Sequence, residues 1–133
     1  MAGFSTFYAQ KCINDHFVTG SAKYLALFVA DPTDANLTAN EASGAWYARQ
    51  AIGSWAAPVG AGTLTSNSNA VTFPAVENNA ITVTHWGIYD ALSGGNMWAS
   101  GEIKDSSGNA SPKVLNVDDV FITKAGELSL DFQ

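Results

Sequence analysis

Asp31, Asp34 and Asn36 place three oxygen donors in the loop "DPTDAN", directly after the apolar run "YLALFVA". Such a loop could hold calcium, which is bound through oxygen ligands. A calcium loop of the helix–loop–helix type needs donors at alternate positions, a glycine at the sixth and a glutamate at the twelfth. Here Pro32 and Thr33 separate the aspartates and no glycine follows in register. A solvated corner fits better, with Asp31 accepting from the backbone just after it and Pro32 fixing φ. The other acidic pair, Asp118–Asp119, points to opposite faces if extended, so a turn is again the better reading.

The remaining chemistry-bearing residues are few. His16 and His85 are the two histidines and Cys12 is the one cysteine. Together they cannot close a structural zinc site without carboxylates. Cys12 has His16 one turn later as its only local base, with no third group and no oxyanion motif, so it reads as a small buried hydrophobe. His85, inside "TVTHWGI", reads as a half-buried structural histidine. Asp90 and Glu102 could meet across a hairpin as an acid–base pair, but nothing else marks them. The glycines of "GAG" at 60–62 are not followed by the lysine and hydroxyl residue of a phosphate loop. The expectation is no catalytic residue, no cofactor-binding residue, no metal ligand and no cofactor.

Composition narrows the partners. The chain has 133 residues, 14% of them charged and 47% hydrophobic, with a net charge of −6. A charged share near 25% is usual, so the surface must be built from Ser, Thr, Asn and Gly or be covered by other chains. Lys11, Lys23, Arg49, Lys104, Lys113 and Lys124 stand singly. Without a basic stripe, neither nucleic acid nor an anionic membrane surface is an expected partner. No apolar run is long enough to span a bilayer and no signal peptide is visible, so synthesis in the cytoplasm is expected.

These residues must be positioned by a β-rich chain. "FSTFYAQKCINDHF" predicts one helix over about 4–17, its greasy face formed by Phe4, Tyr8, Ala9, Cys12, Ile13 and His16. Tyr24–Ala30 predicts a strand covered on both faces. Gly44–Ile52 reads as extended, with Arg49 available to pair with Glu41 or another carboxylate. A short strand is expected at Ala70–Phe73 before Pro74. "AITVTHWGIYDA" and "MWASGEI" read as a hairpin through "LSGGN", placing Trp86 and Trp98 in the core or as cross-strand neighbours. "KVLNV", "DDVFIT" and "LSLDFQ" follow, the last packing Leu128, Leu130 and Phe132 on one face. Seven or eight short strands with turns roughly every ten residues predict an all-β fold. It should be mainly antiparallel, sandwich- or jelly-roll-like, with one N-terminal α-helix. One domain over 1–133 is expected, with the β-rich module at about 22–133. Four tryptophans also leave a glycan-binding module as an alternative, since such modules use exposed coplanar indoles.

Several segments in order resemble a small family of virion proteins of tailed bacteriophages, described as tail fibre or minor tail proteins, with related modules decorating heads. They are Tyr24–Thr33, Ala45–Gln50 (Trp46 standing where glycine is common), Asn69–Pro74, Thr84–Ala91, Gly94–Gly95 and Phe121–Leu128. The resemblance covers nearly the whole chain. It implies a non-enzymatic, β-rich virion subunit that binds major capsid or tail subunits, as capsid decoration or cement or as a tail component. It also implies homo-oligomers and location in the virion. The absence of a long fibrous extension favours a cement- or connector-like role.

Overall fold

The structure, a computed structural model, describes residues 3–132. Helix α1 spans Thr6–Ile13 and continues as one wider, π-type turn over Asn14–Val18. Ser5 caps its start, Oγ accepting from the Tyr8 N–H at 3.2 Å. The wider turn takes more residues per revolution, which brings Phe17 into line with Ala9 and Ile13. Those three are buried. The predicted face is therefore corrected: Phe4 and Tyr8 are 58% and 49% exposed and lie outside the core.

A lysine closes the helix. Lys23 is only 1% exposed. Its Nζ donates to the His16 and Ser21 carbonyls, both at 2.8 Å, and lies 4.5 Å from the Trp98 ring centroid and 5.4 Å from that of Phe17. Carbonyls at a helix C-terminus lack intrahelical partners, and a cation there satisfies them. The chain passes so close at Gly20 that a Cβ would come 2.3 Å from the His16 oxygen.

Strands β1 (Tyr24–Phe28), β2 (Gln50–Ala51), β6 (His85–Tyr89) and β7 (Met97–Glu102) form an antiparallel sheet in the order β2-β1-β6-β7. β1 lies inside this sheet. Leu25 and Leu27 meet Ile88 in the main core, while Ala26 and Phe28 meet Tyr89 and Met97 on the other face. That two-sided cover explains the unbroken apolar run. Val29 and Ala30 already belong to the exposed corner.

Three two-stranded ribbons cover the other side of the main core, in place of a second continuous sheet. β3 (Leu64–Ser66) pairs with β10 (Ser129–Asp131), β4 (Val71–Thr72) with β9 (Ile122–Thr123), and β5 (Ile81–Val83) with β8 (Lys113–Leu115). Leu25, Ile52, Phe73, Val83, Leu115 and Leu128 pack in one contiguous core. The fold is mostly antiparallel β with a single N-terminal helix. Gln133, the end of the last predicted strand, lies outside the described residues.

Two expectations change. "AITVTHWGIYDA" is not one hairpin arm: it breaks at Thr84, whose N–H bonds the Phe28 carbonyl and whose carbonyl accepts from Ile103. β5 then serves a ribbon and β6 the main sheet. Gly44–Ile52 is extended only at β2, because Trp46 folds back over Gly44. Replacing Lys23 with Met keeps the stem but orphans two carbonyls. A loss of about 1–3 kcal/mol is expected by denaturant titration; unchanged stability would show that the lysine does not hold the helix.

Candidate functional site

Two of the acidic residues singled out in the sequence, Asp31 and Asp119, are engaged with their own turns. Asp31 Oδ1 accepts from the Thr33 N–H at 2.8 Å, closing the turn read from the sequence. Asn36 Oδ1 accepts from the Tyr89 hydroxyl. Asp119 Oδ2 accepts from the Asn116 N–H at 2.8 Å. Among the described residues no three His, Cys, Asp or Glu side chains gather as a metal site.

His85 is half-buried, with Nδ1 2.8 Å from Thr84 Oγ1 and Nε2 4.0 Å from Asp31. His16 leans on the Trp98 ring, centroids 5.5 Å apart, and with the half-buried Cys12 lines a cavity of about 310 Å³ between α1, β7 and β10. Asp90 and Glu102 do not meet. Glu102 pairs with His85 at one end of the hairpin, while Asp90 sits beside Asn96 at the other.

Asp90 instead fixes a tryptophan. Its carboxylate accepts from the Asn96 N–H (2.8 Å), the Asn96 amide (3.1 Å) and Trp98 Nε1 (3.1 Å). These donors, the Asn96 backbone foremost, pull its pKa down to about 2. Trp98 is the residue bulged out of the β6–β7 register, so it does not oppose Trp86, which pairs with Gly101. Trp46 and Trp55 are buried; only Trp86 and Trp98 reach the surface, and each lines a different groove.

The most concentrated charge lies around Arg49. Its Nε and a terminal nitrogen each donate to Glu41 at 2.9 Å, and its other terminal nitrogen donates to the Ala91 (3.0 Å) and Gly94 (2.8 Å) carbonyls. The guanidinium also lies 3.7 Å from the Tyr89 ring centroid. Tyr47 donates to Glu41 at 2.6 Å and accepts from the Leu27 N–H. A cleft of about 570 Å³ runs past this pair. It has the burial of an active site, but its charges are spent on one another. Burial, then the Glu41 hydrogen bond, push the Tyr47 hydroxyl far up, away from any role as a base. Burial alone would lower the Arg49 pKa; the Glu41 bond and charge outweigh it, and the net shift is upward.

Asn67 is a second polar node, invisible in the sequence. Buried, it donates to the Asn69 and Lys124 carbonyls and accepts from the Gly126 and Leu128 N–H groups. It thereby holds the "KAGEL" turn that launches β10.

A family model described as podophage GP4 fiber I protein gp80 matches residues 3–131. The chain belongs to that family. No curated protein matches it. The family is of tailed-phage virion structural type, tail-fibre class, which carries with it a structural role in the virion. The segments that suggested the resemblance contain Arg49, Tyr89 and the Gly94 carbonyl, all parts of the Arg49 network. In this fibre-family chain those motifs build the fold.

Two outcomes follow. Arg49→Met leaves Glu41 buried without its partner, and a loss of about 3–5 kcal/mol is expected in denaturant unfolding; a loss under about 1 kcal/mol would contradict a fold-holding role. Asp90 has a folded pKa below its unfolded value near 3.8, so the stability it contributes is present above pH 4 and is lost as pH falls from about 4 to about 2. Asp90→Asn should flatten the stability profile across that window relative to wild type; parallel profiles would show that the carboxylate is not held as described.

Proposed function

We propose that this fibre-family chain is a non-enzymatic virion subunit that acts by contact, binding further copies of itself and adjoining tail subunits. The supporting observation is the outer side of α1. Phe7 and Tyr8 in the first turn of the helix are 76% and 49% exposed, and Phe4, just before its cap and against Tyr8, is 58% exposed; the helix is anchored from behind by Ala9, Ile13, Phe17 and Lys23. Three aromatic rings gathered around the start of one helix are costly to leave in water, and a patch of this kind marks an interface.

The occupant this patch suits is a second copy. Its nearest charges, Lys11 and Asp15, already pair with each other at 3.0 Å, so two patches can meet without like charges opposing, despite the net charge of −6. At these exposures three rings offer roughly 350 Å² per chain, taking about 200 Å² for each ring. A stable interface needs about 800 Å² per partner, so the rings form the apolar centre of a wider contact with a rim of Ser, Thr and Asn. The fibre family favours the tail over capsid decoration. Among the described residues no helix is long and apolar enough to cross a membrane.

The double variant Phe7→Ser/Tyr8→Ser removes exposed rings only, so unfolding stability should change by less than about 0.5 kcal/mol. Self-association, measured by light scattering, and incorporation into particles should both be lost. Normal assembly of the double variant would overturn the proposal, and a wild-type monomer that still enters particles would move the contact to a different virion protein.

A further inference from the structure

Two strand edges stay open along one slot. β7 is the last strand of the main sheet, and β10 pairs only with β3. The Ile103 N–H bonds the Thr84 carbonyl, and the Asp90 N–H bonds the Asn96 carbonyl. Antiparallel alternation then turns the backbone N–H and C=O of Ser100 and Glu102 away from β6. On β10 the Leu128 carbonyl accepts from Asn67 and the Phe132 N–H donates to Thr63, so Ser129 turns its backbone groups away from β3. Among the described residues no further strand meets either edge. Cavities of about 620 Å³ and 310 Å³ lie between the two strands. The first runs from Gly101–Lys104 to Leu128 and Ser129, the second from Trp98 and Ala99 to Leu130–Phe132.

Their floor is an uncovered margin of the core. Trp86, Ala99, Phe121, Leu130 and Phe132 pack on the main core yet are only partly buried, and each lines one of these cavities. Ala99 and Gly101 share a face of β7, two residues apart. The cavities thus follow one another at the spacing of side chains i and i+2 on a strand, about 7 Å. Open edge groups with pockets for alternate side chains are what strand addition requires.

We propose that this slot receives an extended, cationic segment of a different virion protein, which joins β7 to β10 as an added strand. The rim selects the charge. Glu102, Asp105, Glu127 and Asp131 stand along it against one cation, Lys104. The entering strand therefore sets apolar side chains into the two cavities and alternates them with lysine or arginine. A second copy does not suit the slot: Lys11, Lys23, Arg49, Lys104, Lys113 and Lys124 are too widely spaced for two to fall on one such strand. The proposal deepens the reading of this chain as a contact subunit, on a surface that meets the α1 patch only at Phe4. A chain whose α1 face failed to assemble would still bind the strand.

The test uses the full chain and three synthetic seven-residue peptides: valine alternating with lysine, valine alternating with glutamate, and the lysine peptide with proline at its centre. Binding is read from backbone amide shifts and hydrogen exchange by NMR. The lysine peptide should bind at sub-millimolar concentration and slow exchange at Ser100, Glu102 and Ser129. Reversing its charge should weaken binding about ten-fold or more. The central proline, which removes a backbone donor, should do the same. Ser100→Pro removes an outward N–H only, so the chain should fold and lose the peptide; if it does not fold, the proline peptide decides. The proposal falls if the lysine peptide leaves these amides unaffected at millimolar concentration, if the glutamate peptide binds as well, or if the proline peptide binds unchanged. Loss of self-association in folded Ser100→Pro would make the occupant a second copy and overturn the choice of partner.

Discussion

The bidentate contact between Arg49 and Glu41 is the constraint on which much of this molecule depends. A buried guanidinium must have its donors satisfied, or it costs several kcal/mol. Here the partners come from three separate stretches: Glu41 from the corner after β1, the Ala91 and Gly94 carbonyls from the β6–β7 turn, and the Tyr89 ring from β6. Tyr47 then links Glu41 to the backbone of β1. Loops that would otherwise move independently are fixed to one planar cation. Arginine suits this place because its flat fork meets a carboxylate, two carbonyls and a ring face at once, which an ammonium cannot do.

The same economy appears at Lys23 and Asn67. Both are buried polar side chains whose groups go to backbone atoms, Lys23 to the end of the helix just before it and Asn67 to the distant Lys124–Leu128 turn. In a chain made largely of short strands, few backbone bonds hold any one ribbon, and such nodes take over part of the ladder's work. Polar chemistry is turned inward to hold loops, while large aromatics on α1 are turned outward. That inversion accords with a protein of a fibre family, whose role in the virion is structural.

Part of this was readable from the residues. β1 announced itself because both its faces are buried, so apolar residues run without alternation. The Asp31 turn and the Gly94–Gly95 hairpin followed from local chemistry that tertiary packing does not override, whereas Glu41 is one of several carboxylates open to Arg49 in the sequence and only the fold selects it. The predicted helix face changes because Phe4 lies ahead of the Ser5 cap and the packed side is the row Ala9, Ile13 and Phe17, which leaves Tyr8 outside it. The break at Thr84 has no mark in the sequence because β-branched residues run straight through it, and only the partners of the strand decide where it changes sheets. Lys23 and Asn67 carry no sequence signal of burial: Lys23 is held by the nearby His16 and Ser21 carbonyls, and Asn67 by the Lys124–Leu128 turn far along the chain. The slot between β7 and β10 depends on which strand edges stay unpaired, visible only once the sheet order is known.

The central claim is that this chain serves in the particle through its surface contacts, with its polar residues committed to the fold. Electron microscopy of the intact phage tests it most directly. The account expects the chain in the tail, its α1 rings buried against a neighbouring subunit and the Arg49–Glu41 pair unchanged inside the fold. A particle lacking the chain, or one in which the α1 rings face solvent while Arg49 or Glu41 reaches out to a partner, would contradict it.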